Sequence, residues 1–404
     1  MRDTAPVTRD DPGRPRLFTR DYVLTTLGTF SFFASFMYLL SVLPDYIDEI
    51  GGEEWQVGLV VGAFGLLPLL MRPHVGRWCD QGRRLLMMRL ATLVFALALF
   101  LMVFSQDVWS LLALRLVQGA GMALWPTPAT ALAAEIIPVA RRGEGLGFFG
   151  MAASGAQITM PALGVVIADA WGFDAVFIVS AVTALATLAF TIGVQEPRGA
   201  PAGEGGAPPT LFPRGAIFPM TIFLTFTFAW SAAATFLPLL GKERDLGNVG
   251  LFFLVMGVMT VLARPTAGRI SDRVGRVRVA VVGLLVAAAG MLLLAQAQAG
   301  LMMLVAGGVT GLGFAAVHTT MLALAIDRVR LGQRGGATAI FQVAWDLGQL
   351  IAGVGLGFVA SAIDVETVFW VSGVLLLLGA AALLGGRTRG WTRPHAATHP
   401  AHLV

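Results

Sequence analysis

Three ionisable side chains, Arg115, His318 and Asp346, stand inside long apolar runs. A charge at bilayer depth is costly, and where one is kept it usually serves function. A guanidinium does not give up its proton near neutral pH. Arg115 can therefore hold an anion or influence a nearby carboxylate, and the alternative is that it snorkels to the interface along its own stem. Asp346 shares a helix face with Gln342 and Gln349, four residues before it and three after. At 1.5 Å per residue it lies about 14 Å from the nearer end of its run, where an unpaired carboxyl could carry a proton. Imidazole titrates near neutral pH in its ordinary state. His318 is thus either a proton acceptor or a core histidine bonded to a backbone carbonyl.

The surroundings of these groups set the class. The chain has 404 residues, of which 56% are hydrophobic and only 13% charged. Its mean hydropathy is +0.76. A soluble surface needs roughly 25% charged residues, so lipid is the natural solvent for the remainder. Cys79 is the only cysteine, which excludes an intrachain disulfide. The net charge of +4 is carried by arginines clustered between apolar runs, a pattern that does not point to nucleic acid. Lys242 is the only lysine, and no G-x-x-x-x-G-K-[ST] occurs, so no ATP-driven pump is expected on this chain. H-E-x-x-H and G-x-S-x-G are also absent, and the loops are too short for a catalytic domain, so no enzyme is expected. His395, His399 and His402 are too loosely spaced to suggest a metal site, and no cofactor is expected.

A helix needs about 20 apolar residues to cross the hydrocarbon. Twelve such runs lie near 21–44, 56–76, 85–105, 108–134, 144–170, 174–194, 216–240, 248–268, 278–298, 300–326, 336–361 and 366–386. They are continuous rather than alternating, which predicts an all-α membrane protein and not a barrel. Arginines crowd one set of connections. The other set carries Asp45, Asp48, Glu49, Glu53 and Glu54, with Lys242 and Arg244 as its cations. The positive-inside rule predicts both termini in the cytoplasm, and an even number of spans requires them on one side. Residues 1–20 lack a signal peptide's apolar core and read as a cytoplasmic tail. Residues 195–213, rich in Gly, Pro and Ala, read as a linker between a bundle at 21–194 and a second at 214–387, with a tail at 388–404.

The two predicted bundles repeat each other. Arg72-Pro73, Gly76 and Asp80 recur as Arg264-Pro265, Gly268 and Asp272, at an offset of 192 residues. Gly119 and Gly121 recur as Gly311 and Gly313, Glu135 as Asp327, and Gln157 as Gln349, all at the same offset. Each half has six spans, so the copies run parallel about an axis along the membrane normal. With these markers the chain resembles the major facilitator superfamily over about residues 20–390. GRWCDQGRR and GRISDRVGR resemble that family's loop signature G-x-x-x-D-x-x-G-R-[KR]. RLVQGAG, from Arg115 to Gly121, looks like the R-x-x-x-G of proton-coupled exporters, and Gly147, Pro161 and Gly164 match part of a further exporter signature.

The resemblance implies two six-helix bundles related by a pseudo-twofold axis. It implies a conformational latch at Gly76, Asp80, Arg83, Glu135, Gly268, Asp272, Arg276 and Asp327. Gly76 and Gly268 would let short connections turn close to neighbouring helix ends. Span 2 packs near span 11 in that fold, so Asp346 is either a proton carrier or the partner of Arg72 in an ion pair between the halves. Spans 1, 4, 7 and 10 line the central cavity, with contributions from 5 and 11. They offer Ser35, Tyr38, Gln118, Met122, Trp125, Gln157, Thr227, Trp230, Gln342 and Gln349. This aromatic surface with scattered hydrogen-bonding groups suits a neutral or weakly charged amphipathic solute. The expected protein is a monomeric secondary transporter in a bacterial inner membrane, in contact with lipid and driven by a proton gradient in the efflux direction. An uptake permease or facilitator, and a transporter-like membrane sensor, are the alternatives.

Overall fold

Lipid offers no hydrogen bonds to a peptide group, so each apolar run must satisfy its own backbone and closes as a helix. A computed structural model describes residues 16–80, 83–138, 141–195, 214–329 and 334–388. The sequence-predicted tails and linker fall largely outside these residues. The first half comprises α1 (Arg20–Met37), α2 (Leu43–Glu49), α3 (Glu54–Ala63), α4 (Leu66–Asp80), α5 (Arg84–Met102), α6 (Val108–Leu124), α7 (Pro126–Ile136), α8 (Arg142–Trp171) and α9 (Phe173–Ile192). The second half comprises α10 (Arg214–Arg244), α11 (Gly250–Val274), α12 (Arg276–Ala295), α13 (Gly300–Asp327), α14 (Arg334–Ala362) and α15 (Val365–Thr388).

Among the described residues, eleven helical stretches are long and apolar enough to cross a membrane, counting α3 with α4 and α6 with α7. The twelfth crossing is α1 continued through the turns at 38–42, and it ends where α2 begins at the acidic face. Pro44 stands in the first turn of α2 and Pro126 opens α7, positions where the missing N–H costs nothing. These breaks divide the halves unequally: all three interrupted spans lie in the first half, whereas Pro161, Pro219, Pro238 and Pro265 sit inside continuous helices.

Within the first half α1 packs on α8 and α9, and α5 on α6 and α9. Within the second, α12 packs on α13 and α15, α11 on α13, and α10 on α14 and α15. Two six-helix bundles result. Large apolar side chains such as Leu93, Leu97, Phe100 and Phe104 on and just after α5, and Val282 on α12, face outward, as a lipid-facing surface requires.

The bundles meet along two seams. At the first, α3 lies against α14 through glycines. A Cβ built on Gly58 would stand 2.1 Å from the Gly353 carbonyl oxygen, and one on Gly353 would stand 2.5 Å from that of Gly58. At the second, α8 lies against α11. A Cβ on Gly250 would come 2.3 Å from the Ala162 Cα, and one on Gly257 would come 2.2 Å from the Ile158 side chain. Only residues without a side chain allow backbones this close. Polar contacts extend the closure over the acidic face. Lys242 meets Asp48 at 2.5 Å, the Trp55 amide donates to the Ser361 hydroxyl at 2.9 Å, and Asn248 donates to the Ala162 carbonyl at 3.1 Å.

Gly268 does not make a turn. It lies inside α11, and a Cβ there would meet only Thr319, at an ordinary 3.9 Å. The turn between α11 and α12 is made by Gly275, with φ of 98°, a backbone conformation that favours glycine. The surroundings of Gly76 lie outside the described residues.

Gly58→Val forces a branched side chain into the first seam. Overpacking of this kind costs about 1–3 kcal/mol, and here it opposes closure of the acidic face. A cysteine at position 239, buried between the halves in the parent (Leu239→Cys with Cys79→Ala), should then react faster with a maleimide. An unchanged rate would contradict the seam's role.

Candidate functional site

The first seam carries an ion pair at its arginine-rich end. Arg72 on α4 grips Asp346 on α14 through both carboxylate oxygens, Nε to Oδ2 and Nη2 to Oδ1, the latter at 2.9 Å. The side chains are 12% and 9% exposed. The helices come close here because Gly65 carries no side chain: a Cβ on it would stand 2.5 Å from the Asp346 carbonyl oxygen. Two parallel N–H···O bonds fix the fork as well as the charge. Asp346 is therefore paired in this conformation, and the two halves are tied through it.

Arg115 is 2% exposed and its head turns inward. It donates to the Gln118 side chain at 2.6 Å and lies over the rings of Phe64 and Phe36, at 4.5 and 5.7 Å. Ring faces attract a cation, and these substitute for water. The snorkelling alternative for Arg115 is not met: an amide one turn along α6 and two rings hold it inside the bundle. Gln349 reaches the same region from the other half and donates to the Val61 carbonyl at 3.4 Å.

His318 on α13 sits in a box of ring edges, with Phe223 and Phe314 each 5.4 Å away and Phe341 at 6.4 Å. Among the described residues no backbone carbonyl bonds to it, so the core-histidine expectation in that form is not met.

Of the expected latch residues, Glu135, Asp272, Arg276 and Asp327 form contacts within their own bundles. Arg84, not Arg83, meets Glu135. Arg83 stands just before the first turn of α5 and is exposed; its neighbour, about 100° further round the helix, faces α7. In the second half Arg276 meets Asp327 at 2.5 Å and Asp272 at 3.5 Å. The contacts of Asp80 lie outside the described residues.

A cavity of about 450 Å³, including the space at its open mouth, lies at the second seam. Gln157 and Ser154 on α8 face Trp230 on α10, Phe253 and Arg264 on α11, and Phe314 on α13. Of the ten residues expected to line a central cavity, Gln157 and Trp230 do so here. Ser35, Gln118, Trp125 and Thr227 are fully buried inside their bundles. Ser35 donates to the Phe32 carbonyl at 2.7 Å, and Trp125 stacks on Phe32 at 4.5 Å between centroids. Thr227 donates to the Ala344 carbonyl at 2.9 Å, beneath Gly348. Tyr38 and Met122 pack against the core, and Gln342 is exposed elsewhere. The sequence-based expectations give Arg264 no place in the cavity. Its place as the repeat counterpart of Arg72 was the signal that could have singled it out.

The Major Facilitator Superfamily profile matches residues 25–264 and 245–403. The chain belongs to this family of membrane transporters, which is not an enzyme family. A relative named multidrug resistance protein MdtG from Rahnella sp. is 25% identical over 393 residues, covering 91% of this chain and 93% of its own. The MdtG of Dickeya zeae is 27% identical over 300 residues, covering 70% of this chain and 71% of its own. Among solved structures, a bacterial homologue of the human lysosomal transporter Spinster in an inward-facing conformation superposes with a TM-score of 0.81. It shares 14% identity and covers 95% of this chain and 100% of its own. A D-xylose–proton symporter gives 0.72 at 17% identity, over 91% and 97%.

Two outcomes follow for the charged groups. Arg72→Gln and Asp346→Asn each leave a buried charge unpaired, which costs about 3–5 kcal/mol, and the double variant should recover part of that loss. Melting temperatures in detergent read this directly; additive losses would exclude the coupling. At the acidic face, Asp45 on α2 has one carboxylate oxygen buried without a hydrogen-bond partner. Burial pushes its carboxyl up to about 7; Lys242 pulls it down, while Asp48 and Asp169 add to the rise. The folded state thus holds this proton more tightly than the unfolded chain, whose aspartate titrates near 4. Stability from this group is fully present below about pH 4 and is lost as pH rises through about 7. Asp45→Asn should flatten that part of the melting profile.

Proposed function

We propose that this transporter exports amphipathic organic solutes from a bacterial cytoplasm by alternating access, in exchange for protons. The observation that carries the reading is the cavity at the second seam, lined from both bundles and lying below an acidic face that is closed. A site shared by two bodies changes its exposure when they rock, without either body unfolding. In this reading the arginine-rich face is cytoplasmic, as the charge distribution predicts, and solute enters from that side.

The Arg72–Asp346 pair supports proton coupling. A proton on Asp346 removes the negative charge that holds Arg72, which loosens the first seam where α4 crosses α14. Loss of that proton restores the clasp. One carboxylate can thereby link proton movement to the relation between the halves, and no cofactor is needed besides the gradient. The name shared by the MdtG relatives supports efflux of foreign or metabolic organic molecules over uptake. The function belongs to a single chain, since both walls of the cavity are supplied within it.

Flux in proteoliposomes with an imposed pH gradient tests this. An acidic lumen should accelerate solute entry several-fold, and a protonophore should abolish the acceleration. In Asp346→Asn, solute should still move down its own gradient while ignoring the pH gradient. Wild-type flux that ignored the gradient would remove proton coupling, and Asp346→Asn flux that still followed it would remove Asp346 as the carrier.

A further inference from the structure

The 192-residue offset superposes Arg264 on Arg72 and Ser154 on Asp346. The two seams are therefore copies of one arrangement, and they differ in chemistry at this position. At the first seam a guanidinium from one half meets a carboxylate from the other. At the second, the corresponding guanidinium and a hydroxyl line a cavity between the helices that carry them.

Arg264 is partly buried, and its Nε is buried without a hydrogen-bond partner. Among the described residues it has no ion pair, and its charge rests on the Phe314 ring at 5.7 Å. No aspartate or glutamate lines the cavity among the described residues. Taking a guanidinium out of water is costly unless an anion or several acceptors compensate it. Opposite it, Ser154 and Gln157 offer hydrogen-bond donors from the other half. Trp230, Phe253 and Met256 supply an apolar floor beside them.

We propose that this cavity binds an amphipathic organic anion, a carboxylate, sulfonate or phosphate ester carried on an aromatic or aliphatic body. Its charged oxygens pair with Arg264 and accept from Ser154 and Gln157, and its body lies on Trp230, Phe253 and Phe314. The ligand supplies between α11 and α8 the ion pair that Asp346 supplies between α14 and α4. Binding then ties the two bundles at the second seam. A cationic ligand of the same shape meets the Arg264 charge with no carboxylate to offset it. The inference deepens the transporter reading and rests on it for calling the anion a substrate; the binding preference itself stands apart from flux.

The test uses the full chain in a neutral detergent and three probes of one shape: naphthalene-2-sulfonate, 2-naphthylmethanol and 2-naphthylmethylammonium. Equilibrium dialysis should show the sulfonate binding at least about tenfold tighter than the ammonium, as charge-assisted hydrogen bonds imply. Arg264→Gln should erase that preference. Ser154→Asp should erase it too, because the new carboxylate occupies the guanidinium as Asp346 occupies Arg72. Monodisperse elution and melting temperature report whether each variant is folded, and the wild-type comparison needs no variant. Phosphatidylglycerol added to the detergent separates two sources of the anion: displacement of the sulfonate identifies a lipid headgroup, and its persistence identifies a water-soluble solute. Equal affinity for the three probes in the wild type would overturn the proposal, as would a sulfonate preference that survives Arg264→Gln. Charge-selective binding without flux in proteoliposomes would instead overturn the transporter reading alone.

Discussion

Everything in this molecule depends on two backbones touching where no side chain intervenes. Lipid gives helices no hydrophobic reason to associate, because its tails are as apolar as leucine. Association must come from close packing and from polar contacts. Gly58 and Gly353 supply the packing at the first seam, Gly250 and Gly257 at the second. Once the helices are that close, short polar side chains such as Asn248 and Ser361 can reach across. The ion pair between Arg72 and Asp346 forms where Gly65 permits the same approach at the other end of the seam.

Three arginines within the spans show three ways of compensating a charge drawn away from water. Arg72 takes a carboxylate from the other half. Arg115 takes an amide from its own helix and the faces of two rings. Arg264 has one ring and a cavity. The first compensation joins the halves, the second is confined to one of them, and the third leaves polar valence directed at whatever enters. The arginines at the helix ends behave differently again: Arg84 and Arg276 bond acids within their own bundles and stiffen each as a unit.

Much of this was legible in the residues. The helical class follows from continuous apolar runs, and the duplication follows from a single offset. The pairing of Arg72 with Asp346 is one of two readings left open by an acid well inside a span. The cavity lining was far less legible. Ser35, Trp125 and Thr227 have suitable chemistry, but helix rotation decides where they point. In lipid both faces of a span are apolar, so composition carries little information about rotation. The repeat marks Arg264 as the counterpart of Arg72, but an arginine without a matching acid at the offset position carries no sign of a cavity beside it. Local geometry hid the rest, since neighbouring Arg83 and Arg84 differ only in the direction their helix gives them.

The unequal seams have a mechanical consequence. A close-packed protein interior is stiff and transmits strain, whereas a cavity yields. Both edges are joined by glycine contact, but the first also carries a two-pronged clasp between the halves where the second carries a cavity. Under any force that moves the bundles against each other, deformation concentrates at the compliant edge. The pseudo-twofold of the fold is therefore a symmetry of shape and not of stiffness.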